Sequence, residues 1–167
     1  MIKKALIFLL ILVNIGCDQI SKNMVRAKVE PGAYVQLIED TFILTNVENT
    51  GAAMGLGQHL PPLAKVLLLN ILPLLVLLFL CYRLFVKQQI EVWMGISFAF
   101  IIGGGIGNLI DRFRFGRVTD FFYLKSGFLK TGIFNMADVS VSIGALLLLY
   151  LVFFGRNRAD LQAEKRP

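Results

Sequence analysis

Histidine, cysteine and charged residues are all scarce in this sequence. Its 167 residues include one histidine and two cysteines, and only 17% of them are charged. Zinc sites are built mainly from clustered cysteine and histidine, and a serine or cysteine nucleophile needs a nearby base such as histidine. The sequence therefore disfavours zinc chemistry and histidine-assisted nucleophilic catalysis. His59 lies in a Gln-His-Leu-Pro-Pro loop, and we interpret it as a solvated residue.

The two cysteines do not predict a disulfide. Cys17 and Cys81 lie towards opposite ends of their apolar segments, whereas the Cα atoms of a bridged pair must lie within about 7 Å. Both are predicted to be free, buried thiols. The start of the chain up to Cys17 also imitates a lipoprotein signal peptide, with two lysines, an apolar run and a small residue before the cysteine. Since three further apolar segments follow, we predict that the first helix is retained.

Apolar residues, in contrast, are abundant. They make up 56% of the chain, and the mean hydropathy is +0.70, which indicates an integral membrane protein. A helix needs about 20 apolar residues to cross about 30 Å of hydrocarbon, and four segments qualify, at residues 4–24, 63–82, 92–110 and 136–154. We predict one integral membrane domain over residues 1–167, an all-α bundle of four transmembrane helices. Pro73 predicts a kink in the second helix, and Gly103 and Gly107 predict close helix packing in the third.

The orientation of the four segments is predicted from basic residues. An even number of spans places both termini on one side, and cytoplasmic segments carry an excess of lysine and arginine. The two sides carry nearly equal numbers, eight and seven, but the turn from Arg83 to Lys87 and the basic tails directly flank spans, which favours cytoplasmic termini. The net charge of +6 indicates anionic lipid headgroups as partners, and no motif indicates nucleic-acid binding.

Polar residues from three of the segments are predicted to lie at one depth. Ionisable residues inside a membrane are costly and usually mark a functional site. Counting about 1.5 Å per helical residue from the cytoplasmic ends places four residues about 22 to 30 Å across: Asp18, Asn108, Asp111 and Asp138. Spacings of three or four residues also put Lys22 on the face of Asp18, Arg112 on that of Asn108, and Asn135 on that of Asp138.

Two aspartates differ from the others in their local sequence. Asp18 and Lys22 are interpreted as an ion pair at the membrane interface. Asp111 and Arg112 are interpreted as an ion pair that supports the site. Asp120 and Asp138 have no basic residue within four positions on the same helical face, and Asp120 lies in a loop predicted to re-enter towards the membrane. Two carboxylates close together in a low-dielectric site share a proton, which suits hydrolysis of an amide by one base and one acid.

Three alternatives remain open at this point. A magnesium site could be built from Asp111, Asp120 and Asp138. A small transporter or proton channel also places carboxylates inside a bundle, although the polar layer here lies on one side and the inner halves are apolar. An inert scaffold would not explain why costly polar residues converge.

Five motifs, taken together in this order, resemble the bacterial lipoprotein signal peptidases, or signal peptidase II. They are Asp18-Gln19-Ile20-Ser21-Lys22, Asn49-Thr50-Gly51-Ala52-Ala53, Gly107-Asn108-Leu109-Ile110-Asp111-Arg112, Val118-Thr119-Asp120-Phe121 and Phe134-Asn135-Met136-Ala137-Asp138. The resemblance implies an intramembrane-type aspartic endopeptidase with Asp120 and Asp138 as the catalytic dyad. It assigns seven residues to support of the site or substrate: Asp18, Lys22, Asn49, Asn108, Asp111, Arg112 and Asn135. Thr119 stands where many members carry valine, and we expect this change to leave the chemistry untouched.

The resemblance also implies the surroundings of the reaction. The substrate would be a prolipoprotein whose cysteine carries diacylglycerol, cut just before that cysteine, with membrane lipids as further partners and no cofactor or metal. The enzyme would be a multi-pass protein of the bacterial cytoplasmic (inner) membrane, with its active site near the outer face. A small extracytoplasmic β-sheet would lie between the first and second helices, and the period-two pattern from Tyr34 to Val47 fits a strand pair with a turn near Glu39-Asp40. The glycine-rich residues 51–58 are interpreted either as a mobile flap or as a passive connection.

Overall fold

Four long helices dominate the structure. A computed structural model describes residues 2–86 and 90–163, with helices α1 (Ile2–Lys28), α2 (Pro62–Phe85), α3 (Val92–Phe115) and α4 (Met136–Ala163). Each is long and apolar enough to cross a membrane. α1 and α3 extend beyond the predicted ends at residues 24 and 110, and Arg26, Asp111 and Arg112 in these extensions bind other elements.

α3 is the central helix of the bundle and contacts the other three. Its glycines allow this, as the small-residue spacing predicted. A Cβ atom at Gly107 would lie 2.5 Å from Asp18 Oδ2 on α1, and one at Gly103 would lie 2.6 Å from the Cβ of Asn14. Such separations are far below van der Waals contact, so only glycine permits this approach of α1 to α3.

The interior of the bundle below the sheet is mostly apolar, apart from Asn14, Ser97 and Ser140, whose side chains are hydrogen-bonded within it. It is filled by eight buried residues of α1, α2 and α3: Ile11, Leu77, Leu80, Leu84, Phe98, Ala99, Ile102 and Leu109. The outer surface is also apolar, and Leu146 is 68% exposed and Phe153 67%. A large exposed apolar surface around a closed apolar core is typical of a protein solvated by lipid.

α2 contains the predicted irregularity around its proline. The hydrogen-bonding pattern widens to that of a π-helix over Val66–Ile71, directly before Pro73, because proline has no N–H to continue the regular ladder. At the other end of this helix, Lys4 Nζ donates to the carbonyl oxygen of Phe85 at 2.8 Å. The start of α1 therefore lies beside the end of α2, as expected for antiparallel spans.

The sheet has four antiparallel strands in the order β1 (Val35–Ile38), β2 (Phe42–Asn49), β3 (Val118–Ser126) and β4 (Leu129–Lys130). The predicted strand pair before α2 is present, with its turn at Asp40. However, the sheet is not confined to the connection between α1 and α2, because β3 and β4 come from the connection between α3 and α4. The loop predicted around Asp120 is in fact strand β3. Its first four residues are all buried, so the sequence shows no period-two alternation there.

The two cysteines are free, but the predicted burial is wrong for Cys17. Its side chain is exposed on α1, whereas Cys81 is half-buried. Cys17 lies on the apolar outer face of the helix, where a thiol is as compatible with lipid as with a protein core.

Candidate active site

Buried polar residues concentrate where α1, α3 and α4 meet the sheet. Asp18, Lys22, Asp111 and Asn135 are completely buried, and Asp120 is 4% exposed. All of the site residues predicted from the sequence lie in this region and are joined by hydrogen bonds or by charge. Burial of so many polar groups is costly unless each has a partner.

Asp120 lies on β3 between two asparagine side chains. Its Oδ2 accepts a hydrogen bond from Asn49 Nδ2 at 2.9 Å, and its Oδ1 accepts one from Asn135 Nδ2 at 2.6 Å. Burial raises the pKa of Asp120 from 3.8 to about 6; the charge of Asp138 also raises this pKa, while the bonds from the two amides lower it. The Asp120 carboxyl can therefore gain or lose a proton near neutral pH.

Asp138 is held in the first turn of α4 by a reciprocal pair of hydrogen bonds. Asn135 Oδ1 accepts from the backbone N–H of Asp138 at 3.0 Å, and Asp138 Oδ2 accepts from the backbone N–H of Asn135 at 3.1 Å. This is the arrangement of a capping box, in which residues three apart satisfy free N–H groups at a helix start. Asp138 Oδ1 also accepts from Asn108 Nδ2 on α3 at 2.9 Å.

Asn135 thus contacts both aspartates of the expected pair. Its side-chain amide donates to Asp120 and its backbone N–H donates to Asp138. The strand β3 is brought to this position by Phe134, whose carbonyl oxygen accepts from the backbone N–H groups of Phe121 at 3.0 Å and Phe122 at 2.8 Å. The two carboxyls, 18 positions apart in sequence, are therefore neighbours in one site.

A buried ion cluster lies behind the two carboxyls. Lys22 Nζ contacts Asp18 Oδ2 at 2.8 Å, Asn108 Oδ1 at 2.9 Å and Asp111 Oδ2 at 3.5 Å. Asp18 Oδ1 accepts from the backbone N–H of Ala137 at 2.9 Å, so an anion lies at the positive end of α4. The predicted Asp18–Lys22 pair is present, but it is completely buried and joins three helices rather than lying at an interface.

The predicted pairing of Asp111 with Arg112 is wrong. Adjacent residues on a helix do not face each other, and Asp111 pairs with Arg26 of α1, whose NH2 lies 2.6 Å from Asp111 Oδ2. Arg112 NH2 instead donates to the carbonyl oxygen of Gly51 at 3.2 Å.

Asp111, one of the three carboxyls of the magnesium alternative, is engaged by protein groups. The Asp111 carboxylate accepts from Arg26, from Gln19 and from the backbone N–H of Thr119, so its oxygens are occupied by protein donors. Within residues 2–86 and 90–163, no group of three or more histidine, cysteine, aspartate or glutamate residues is arranged to hold a metal ion.

Sequence reasoning missed three residues that bind this cluster: Gln19, Arg26 and Thr119. Gln19 Nε2 donates to Asp18 Oδ2 at 3.1 Å and to the carbonyl oxygen of Gly107 at 3.1 Å. Arg26 could have been found, because it continues the four-residue spacing of Asp18 and Lys22 along one face of α1. Nothing in the local sequence indicated Thr119.

Two cavities open beside the paired carboxyls. One, of about 390 Å³, includes Asp138 and continues along α4 over Val139, Ile143 and Leu146, with mostly apolar walls. The other, of about 240 Å³, includes Asp120 and polar residues such as Glu48 and Gln58. Met54, Gly132 and Ile133 line both cavities. The two cavities therefore adjoin, and the walls of the one at Asp120 are the more polar of the two.

Comparison with known proteins gives a consistent result. The family described as "Signal peptidase (SPase) II" matches residues 10–154. The chain is 39% identical to the lipoprotein signal peptidase of Chlorobium phaeovibrioides over 166 residues, covering 94% of each chain, and 39% identical to that of Halothermothrix orenii, covering 87% of this chain and 94% of the relative. A bacterial membrane enzyme solved by the in meso method at 2.3 Å resolution has the same fold, with a TM-score of 0.80, 25% identity, and coverage of 93% of this chain and 91% of the other.

Proposed function

The chain belongs to the signal peptidase II family, and from that premise we propose that Asp120 and Asp138 are its catalytic dyad. It is a membrane peptidase that removes signal peptides from prolipoproteins. The single observation that carries the proposal is the contact of Asn135 with both carboxyls, through its side-chain amide to Asp120 and its backbone N–H to Asp138. Asn49 and Asn108 add one further hydrogen bond each, to Asp120 and Asp138 respectively.

The dyad would hydrolyse the peptide bond by general acid–base catalysis. The ionised carboxylate takes a proton from a water molecule, whose oxygen attacks the scissile carbonyl carbon. The protonated carboxyl donates a hydrogen bond to the carbonyl oxygen while the tetrahedral intermediate forms. As the intermediate collapses, the C–N bond breaks and the departing amine takes a proton from the dyad. A pKa of about 6 for Asp120 allows this exchange near neutral pH.

The remaining predicted residues would fix the dyad and its partners. Asn49, Asn108 and Asn135 donate directly to the carboxylates. The Asp18–Lys22 pair and Asp111 would hold α1, α3 and α4 together behind the site. Arg112 binds the carbonyl oxygen of Gly51 and would hold the start of the glycine-rich residues 51–58 beside the site.

A diacylglyceryl-modified cysteine is the substrate feature that fits the apolar cavity. The cavity beside Asp138 is lined by Val139, Ile143 and Leu146 along one face of α4, and these side chains offer an apolar path from the carboxyls towards the hydrocarbon. The acyl chains of the modified cysteine could follow that path while its peptide bond lies at the dyad. Cleavage would then fall just before the cysteine.

The proposed location is the bacterial cytoplasmic (inner) membrane, with both termini cytoplasmic and the site near the outer face. The polar cluster lies at one end of α1, α3 and α4, while Lys4 and Phe85 meet at the opposite end. The apolar core between those ends supports a one-sided site rather than a path across the membrane. A transporter or proton channel is not supported by this arrangement or by the family.

The experiment is cleavage of a prolipoprotein by purified protein in detergent, with lipidated and unlipidated substrate side by side. Asp120→Asn and Asp138→Asn should each lower turnover by at least about 100-fold, because each removes an acid–base group, while circular dichroism shows an intact helical fold. Asp40→Asn, in the exposed β1–β2 turn, is the matched control and should cleave normally. Substantial turnover in either dyad variant would reject the assignment, and equal cleavage of both substrates would reject the role of the acyl chains.

A further inference from the structure

Arg26 of α1 connects three elements of the structure through its guanidinium group. Its Nε donates to Thr119 Oγ1 on β3 at 2.8 Å, its NH2 lies 2.6 Å from Asp111 Oδ2 on α3, and its NH1 donates to Asn23 on α1 at 3.2 Å. The plane of the group also lies over the ring of Phe115, 4.4 Å from the ring centroid. All three nitrogens and one face are engaged, so the conformation of Arg26 is fixed.

Thr119 is the residue immediately before Asp120, and it is held at two points. Arg26 binds its hydroxyl oxygen, and its backbone N–H donates to Asp111 Oδ2 at 3.2 Å. Successive side chains of a strand point to opposite faces. Arg26 therefore binds β3 on one face, while Asn49 and Asn135 hold the Asp120 carboxyl on the other.

The neighbouring strand β2 pairs with β3 from Val118 to Asp120, but the pairing is irregular directly after Asp120. In the pairing of β2 with β3, Val47 lies opposite Asp120 and Leu44 opposite Phe122, so β2 has an extra residue beside the carboxyl. Such a bulge interrupts the ladder of backbone hydrogen bonds. The sheet therefore supports Asp120 regularly on one side only, and the Arg26–Thr119 bond adds a contact from outside the sheet at the preceding residue.

We propose that Arg26 is a positioning residue for the reaction, which sets the place of Asp120 by holding Thr119. The inference rests on the proposed role of Asp120. It contradicts the expectation that Thr119 leaves the chemistry untouched. A simpler role for Arg26, neutralising buried Asp111, would need only a positive charge. Holding Thr119 and Asp111 at once needs the fork of a guanidinium, which lysine lacks.

The test compares two Thr119 variants, one without and one with the hydroxyl acceptor, and a control variant of Arg117 that keeps the positive charge. Thr119→Val keeps the side-chain shape but removes the acceptor, and it should lower kcat about 10-fold with KM changed less than about 2-fold, since small displacements of a reacting group are costly. Thr119→Ser restores the acceptor and should recover at least about half of the wild-type kcat. Arg117→Lys is the control. Arg117 lines the same cavity of about 610 Å³ as Arg26, but its ion pair with Glu48 is about half exposed, so this variant should turn over normally.

A double-mutant cycle with Arg26→Lys isolates the contribution of the Arg26–Thr119 hydrogen bond to kcat. If both changes break the same contact, Thr119→Val should alter kcat by less than about 2-fold in the Arg26→Lys background. A wild-type kcat for Thr119→Val, a loss expressed only in KM, or an undiminished loss in that background would each overturn the proposal. Thermal unfolding identifies an assay temperature at which every variant is folded. Asp120→Asn is assayed in parallel: its retention of activity would reject the dyad itself, whereas an active Thr119→Val beside an inactive Asp120→Asn rejects only the role of Arg26.

Discussion

Replacing Asp120 by asparagine should change how the stability of the protein depends on pH. Burial raises the pKa of Asp120 in the folded state from 3.8 to about 6, so the folded protein binds this proton more tightly than the unfolded chain does. The resulting stabilisation is fully present below about pH 4 and is lost as the pH rises through about 6. The difference between the two pKa values corresponds to about 3 kcal/mol, at about 1.36 kcal/mol for each unit of pKa.

Asp120→Asn removes this titration but introduces a separate cost. The new amide places an N–H group against one of the two asparagine donors, Asn49 or Asn135. Neither donor can turn its own amide, because Asn49 Oδ1 accepts from the backbone N–H of Gly51 and Asn135 Oδ1 from that of Asp138. An unsatisfied buried donor costs about 1–3 kcal/mol. This cost does not depend on pH. The informative quantity is therefore how the difference in unfolding free energy between the wild type and Asp120→Asn changes with pH.

The measurement is the melting temperature of both proteins in detergent, followed by circular dichroism between pH 4 and 8. Relative to Asp120→Asn, the wild type should lose about 3 kcal/mol over this interval, or roughly 6 to 12 °C in melting temperature for a chain of this size. Asp40→Asn changes an exposed aspartate of the β1–β2 turn and should follow the wild type. Parallel curves for the wild type and Asp120→Asn would refute the reasoning, because they would show that burial does not perturb Asp120.

Three further changes follow from the packing and charges of the site. Lys22→Met should destabilise the fold by about 3–5 kcal/mol in chemical unfolding, since it leaves buried Asp18 without its ion pair; an effect as small as that of exposed Lys28→Met would contradict this. Gly107→Ala should cost about 1–3 kcal/mol and reduce turnover, because the new Cβ would lie 2.5 Å from Asp18 Oδ2, whereas a Cβ at Gly16 meets nothing within 4 Å and Gly16→Ala should be tolerated. Cleavage should be undiminished by EDTA, and a loss that Mg²⁺ restores would bring a metal back into the mechanism.

The polar layer shows how far sequence reasoning reaches in this protein. Counting helical residues was sufficient to place Asp18, Asn108 and Asp138 at one depth, because the rise of a helix is constant. It could not determine which partner each side chain takes. Asp111 was assigned to Arg112, its neighbour in sequence, but it pairs with Arg26 from another helix, since the rotation of adjacent helices about their axes is set by packing.

Strand β3 illustrates a second limit. Asp120 was assigned correctly to a segment near the other aspartate, but that segment was predicted to be a loop. Strands buried on both faces show no alternation of apolar and polar residues, and β3 is recognised only through its pairing with β2. The same pairing places Thr119 within reach of Arg26, which explains why its contribution was not visible in the sequence.

The sequence by itself determined that the chain is a membrane protein of four apolar helices and that its ordered motifs resemble the signal peptidase II family. It also singled out Asp120 and Asp138 as the carboxyls without a nearby basic residue. These properties follow from local composition and from fixed helical dimensions. The tertiary structure alone decided that Asn135 contacts both Asp120 and Asp138, and that Arg26 binds Thr119 and Asp111. Such contacts join residues far apart in the chain, and their geometry depends on glycine-mediated helix approach and on strand register, which no local pattern specifies.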